Sequence, residues 1–164
     1  MFCKMMGLRI PVTQYCLGLF FIVAVLTGCN TLDVYEKTTA FATHSWSSND
    51  SAKFNFIIKD TSAPYNLMMV LRHEDLYGYK NIWLSIKVIG PDSSFTIKRE
   101  FTLADNSKWF GSSIDDIVEH RIKFNTQPIP LKKGNYSFVI RQEMREDPLL
   151  HVLNAGIRIE KFKQ

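Results

Sequence analysis

The chain has 164 residues, of which 46% are hydrophobic, 13% aromatic and 22% charged, so it carries enough apolar surface to offset ordering entropy and is not intrinsically disordered. Eight glycines and six prolines without a period exclude collagen-like and low-complexity chains, and the length predicts one domain with or without a targeting segment. The formal charge is +4, but Lys4 and Arg9 fall in a leader expected to be removed, and the +2 left behind is no nucleic-acid signature.

Residues 1–28 contain no acid. Lys4 and Arg9 form a positive n-region, and residues 15–26 form a 12-residue apolar run that ends abruptly in polar sequence. A membrane-spanning helix needs about 20 apolar residues, so the run suits a secretory h-region better than an uncleaved anchor. Ordinary signal peptidase wants small residues at −1 and −3; Gly28 fits the first demand and Leu26 fails the second. Leu26-Thr27-Gly28-Cys29 instead resembles the lipobox of bacterial lipoproteins, with cleavage between Gly28 and Cys29. The Cys29 thiol is the nucleophile that takes diacylglycerol in thioether linkage, and acylation of the freed amine adds the further chain that lasting attachment needs. Cys3 and Cys16 leave with the leader, so the mature chain has no thiol for a disulfide or a cysteine-based metal site.

Residues 29–52, rich in Ser, Thr, Asn and Asp, read as a lipidated N-terminus and tether with one short strand at 33–37 and a packed Trp46. Residues 53–164 read as the folded domain. There, period-two alternation dominates: Phe54, Phe56, Ile58; Leu67, Met69, Leu71; Ile82, Leu84, Ile86, Val88; Phe95, Ile97, Phe101; Tyr136, Phe138, Ile140; Ile157, Ile159. Turn signals at 60–64, 77–79, 90–92 and 132–135 separate these runs. The pattern predicts a mostly β fold, an antiparallel β-sandwich of about seven to eight strands. One short helix is expected at residues 112–119, from Ile114, Ile117 and Val118 behind a Ser113 cap with Asp115 and Asp116 in the first turn.

The chain offers little recognisable catalytic chemistry. His44, His73, His120 and His151 are far apart and have no ligand-spaced partners, and His73-Glu74-Asp75 reads as a solvated strand end. Gly111-Ser112-Ser113 lacks the frame of a nucleophile elbow, and adjacent Asp115 and Asp116 would diverge by about 100° on a helix. No catalytic residue, metal site or cofactor is expected. Arg141, Glu143 and Arg145 share a strand parity, with Arg72 able to join from a neighbouring strand; they form a solvated charge ladder or a partner-docking strip with Trp83 and Trp109. Trp109 itself either plugs its loop against strands such as residues 122–124 or anchors a partner.

Several strings together resemble the gliding-motility lipoprotein GldH family of the Bacteroidetes. They are Pro64-Tyr65-Asn66-Leu67 with Leu71-Arg72, Tyr79-x-Asn81-x-x-Leu84, and Lys108-Trp109-Phe110-Gly111 leading into residues 114–117. Gly134-x-Tyr136-x-Phe138, Met144-Arg145 and the closing 156–161 complete the set. Phe110 stands where the family usually has leucine, and the loop 146–150 is shorter than is typical. The resemblance implies a non-enzymatic envelope lipoprotein whose partners are the membrane, through its lipid, and other proteins of the gliding or type IX secretion machinery. It implies no catalytic residue. Asn30, where Asp would favour inner-membrane retention, and the lack of an acidic run at 30–33 point to the outer membrane, facing the periplasm. The competing function is a carbohydrate- or small-ligand-binding sandwich, which would stack sugars on two exposed aromatics of one concave face.

Overall fold

A computed structural model describes residues 34–163, and the leader and Cys29 lie outside the described residues. In chain order the elements are β1 (Val34–Ala40), a 3-10 turn (Ala42–His44), β2 (Ser45–Trp46), β3 (Ala52–Ile58), β4 (Tyr65–Glu74) and β5 (Asn81–Ile89). There follow β6 (Ser94–Thr102), β7 (Ser112–Ile114), β8 (Ile117–Lys123), β9 (Gly134–Gln142), β10 (Leu149–Leu150) and β11 (Val152–Lys161). A five-stranded sheet in the order β1-β11-β4-β8-β7 faces a four-stranded sheet in the order β3-β9-β5-β6, and β2 pairs with β10 at one end. Every strand pairing is antiparallel.

The alternation explains the core. Phe54, Phe56, Leu84, Ile86, Phe138 and Ile140 point inward from one sheet onto Met69, Leu71, Ala155, Ile157 and Ile159 of the other, all buried. Burial of this kind contributes about 25 cal/mol per Å² and is the main force joining the layers. The outer face of the five-stranded sheet is polar instead. There Glu36 accepts from Arg121 at 3.0 Å and Arg158 at 2.8 Å, while Glu119 pairs with both Arg72 and Arg121. The Arg121 guanidinium, then Arg158, holds the Glu36 carboxyl below its ordinary range. Strand β6 overhangs: Phe95 and Ile97 share the face of Val88 and Ile86, yet both stay exposed.

The strands give the sandwich two ends. The near end, where β1 starts five residues after Cys29, also holds Tyr65, Ile89, Gly134 and Lys161. The far end holds Glu74, Asn81, Gln142 and Val152. A cleft of about 250 Å³, lined by Leu67, Val88, Phe95, Ile129 and Leu131 among others, opens at the near end.

Three expectations change. Residues 112–119 are not a helix but the β7–β8 hairpin, with Ile114 paired to Ile117 across Asp115-Asp116. Ile114 is 76% exposed, so the apolar spacing that suggested a buried helical face had no core to meet. The only helical element among the described residues is the 3-10 turn at Ala42–His44. The strands number eleven, because β2, β7 and β10 are two or three residues long and too short to alternate visibly. The folded body also begins earlier than residue 53. β1 pairs with β11 along seven residues, and Trp46 is fully buried, stacked on Phe41 at 4.6 Å.

Candidate functional site

The four histidines, scattered in sequence, meet at the far end. β4 and β8 run in register with His73 opposite Val118 and Leu71 opposite His120, which sets the two rings side by side on the inner face. His73 and His120 are both buried, their Nε2 atoms 3.0 Å apart. The His73 Nδ1–H donates to the Glu74 carbonyl at 2.6 Å, so its Nε2 is a bare acceptor and His120 Nε2–H must be the donor. Burial, then the neighbouring His73, pushes the His120 imidazole down to about 4, and burial also lowers His73. Both rings are neutral at pH 7.

Trp109 packs edge-on against His73, with ring centroids 4.5 Å apart, and Tyr77 lies 5.0 Å from the same ring. The indole is half-buried against the core and sits on the histidine pair rather than on residues 122–124. Local sequence explains its placement. Asp105 accepts from the Ser107 hydroxyl and from the Ser107 and Lys108 amides, closing the turn that precedes Trp109. Gly111 then passes so close to β8 that a Cβ there would stand 2.4 Å from the Glu119 carbonyl oxygen. Only a residue without a side chain fits.

Glu74, next along β4, points the other way. Its two carboxylate oxygens each take a histidine Nδ1 at 2.5 Å, one from His44 and one from His151. These bonds, His151 first, hold its carboxyl below the ordinary range and tie the 3-10 turn and the β10–β11 junction to the end of β4. His73-Glu74-Asp75 is therefore no solvated strand end: strand parity sends His73 inward and Glu74 into a clamp. Among the described residues, no three His, Cys, Asp or Glu side chains are disposed to hold a metal ion.

The backbone at this end is strained. Thr43 (φ 54°), His44 (φ 51°), Asp115 (φ 53°) and His151 (φ 65°) are left-handed without being glycine. Such positions persist only where surrounding structure forces them, and they cluster at functional sites. Outside the histidines, the rim is apolar and acidic. Leu76 is 70% exposed, Ile114 and Phe110 are exposed as well, and the Asp75 amide donates to the Asp116 carbonyl at 2.8 Å, joining the two acidic turns. A hollow of about 300 Å³ separates residues 77–80 from 104–109, bridged by Lys80 Nζ and Asn106 Oδ1 at 2.6 Å.

The proposed docking strip divides. Arg72 lies on the five-stranded sheet in its ion pair with Glu119, whereas Arg141 lies on the four-stranded sheet opposite Ser85. β9 ends at Gln142, so Glu143 and Arg145 are past the strand and share no face with Arg141 by alternation. Arg141 and exposed Trp83 share the outer face of that sheet, on adjacent strands at a diagonal offset. Arg145 follows Met144, whose Sδ accepts the Trp83 amide at 3.3 Å, and Glu146 accepts the Tyr79 hydroxyl at 2.8 Å.

A two-sheet antiparallel sandwich with a crowded far end defines the structural class, a mostly β sandwich protein. The sequence model of one family, GldH lipoprotein, matches residues 33–159, and the chain belongs to that family. Relatives include a gliding motility lipoprotein GldH homolog of Christiangramia forsetii, 24% identical over 86% of this chain and 91% of the relative. The gliding motility lipoprotein GldH of Flavobacterium johnsoniae is 23% identical over 88% and 95%. Among solved structures, the infectious bursal disease virus VP2 subviral particle is similar at TM-score 0.36 and 18% identity, over 77% of this chain and 32% of that one, too loose a likeness to carry an argument.

Proposed function

We propose that the protein is a non-enzymatic lipoprotein, anchored by acylated Cys29 in the outer membrane facing the periplasm, that serves gliding or type IX secretion by gripping another envelope protein with its far end. The carrying observation is the far-end rim. It offers Leu76, Phe110 and Ile114 with Asp75, Asp115 and Asp116 over a base stiffened by the histidine contacts, and Trp83 and Arg141 stand towards the same end on the outer face of the four-stranded sheet. Aromatic and arginine anchors surrounded by polar residues are the usual anatomy of protein contacts. A sugar site would want two exposed rings side by side. Trp83 and Phe95 instead project from opposite faces of the four-stranded sheet, which favours the protein-contact reading.

Site-specific photocrosslinking in the native envelope tests this. A benzophenone amino acid at Ile114 or at Trp83 should give a discrete adduct that Arg141→Glu weakens, while the same probe at exposed Lys37 gives none. Identical patterns from Ile114 and Lys37 would refute the far end as the contact.

A further inference from the structure

The near end carries a different surface, and it follows from how little chain separates it from the lipid. We infer that this end rests on the bilayer that holds the Cys29 acyl chains, so that the domain stands upright with its histidine end pointing away. The inference rests on the lipid-anchored reading above. Four residues lie between Cys29 and Val34, so five Cα-to-Cα steps join them. Fully extended, at roughly 3.3–3.6 Å each, they reach about 17 Å. β11 runs the length of the sandwich in ten residues, which at roughly 3.3 Å each is about 33 Å. An inverted stance, far end on the membrane, would lift Val34 beyond the reach of its own anchor.

The chemistry agrees with the geometry. Ile57, 60% exposed, and Ile89 line one shallow groove at this end, and Phe95, 51% exposed, borders the apolar cleft. Phe162 is exposed beside Pro64, whose carbonyl accepts its amide at 2.9 Å. Lys59 and Lys133 are exposed here, while Asp60 and Asp92 are each engaged by a lysine, Lys161 and Lys132. Apolar side chains flanked by lysines suit a surface of anionic phospholipid. The far end also exposes apolar groups, and although Lys80 and Lys108 lie further along its rim, Leu76 and Ile114 stand directly beside Asp75, Asp115 and Asp116, which such a surface repels. Four scattered apolar side chains are too weak to hold a membrane alone. A lipid already inserted makes their contact intramolecular, at a high effective concentration.

The mature lipoprotein, extracted acylated from cell membranes, is suited to a direct test because its one cysteine is consumed by lipid. Ile57→Cys, Phe95→Cys, Leu76→Cys and Ile114→Cys each accept a fluorophore, and the labelled proteins are placed in vesicles of phosphatidylethanolamine and phosphatidylglycerol containing brominated lipid. Quenching should be several-fold stronger at positions 57 and 95 than at 76 and 114. Equal or reversed quenching, on protein whose mass includes the acyl chains, overturns the upright stance and leaves the anchor standing. A mass without acyl chains overturns the anchored reading and the stance together.

Discussion

The two ends of the sandwich are made of different material. At the far end, four non-glycine residues sit in left-handed backbone, two imidazoles share a buried hydrogen bond, and a carboxylate is gripped by two more. At the near end, the left-handed position is Gly134, which any such turn accepts without strain, and the exposed groups are simple apolar chains and lysines. Strain and buried polarity are costly and survive where a shape must be held, as at a contact surface for a protein. A fluid lipid surface demands no such shape.

The contrast can be broken most forcefully at Trp109. Trp109→Ala removes the ring that roofs the histidine pair and should cost about 3 kcal/mol, whereas Ile57→Ser at the near end should cost less than about 0.5 kcal/mol. Thermal melts of the two variants measure this directly; similar melting temperatures would mean the far end is not a packed unit. Acid tests the pair beneath. The folded His120 titrates at about 4 and the unfolded one near 6.5, so the unfolded chain binds more protons between these values. Its contribution is therefore intact above pH 6.5 and is lost as pH falls towards 4, on the order of 3 kcal/mol. His120→Gln, which keeps a donor for His73, should flatten the melting profile across that window.

Smaller effects sharpen the picture. Arg141→Glu should weaken the envelope contact by about 1–2 kcal/mol and leave the melting temperature unchanged, as titration with the crosslinked partner would record. Asp115→Gly should stabilise by about 0.5–1 kcal/mol, because only the first residue of the β7–β8 loop is left-handed, the place that a II′ hairpin turn gives to glycine. Denaturant midpoints would show the gain, and a loss would mean the Asp115 side chain holds the turn.

Much of the sandwich was legible because burial on one face forces alternation. Phe54-Phe56-Ile58 and Ile82-Leu84-Ile86-Val88 read as strands and are strands, with those residues inward. The β7–β8 hairpin was not legible. Ile114, Ile117 and Val118 have helical spacing, and a capping serine followed by two aspartates is a sound helix start, but a two-residue loop accepts the same letters. The histidine site was hidden for another reason. Partners 47 residues apart in the chain are joined only by the register of β4 with β8. One signal was present: His73 shares parity with Leu67, Met69 and Leu71, and His120 with Val118 and Ile122, which marks both rings as inward-facing. Arg141 and Arg72 could not be separated onto two sheets without knowing the strand order.

The pairing of β1 with β11 has a mechanical consequence. Its seven-residue ladder is unusually intimate at Gly156, where a Cβ would stand 2.1 Å from the Lys37 carbonyl oxygen. A pull on the chain ahead of Val34, against a grip on the far end, would act along the axis of β1. Hydrogen bonds of an antiparallel ladder lie across that axis, so all of them take the load together instead of peeling one by one. The first strand of the described residues is thereby arranged as a shear joint between the two ends of the sandwich.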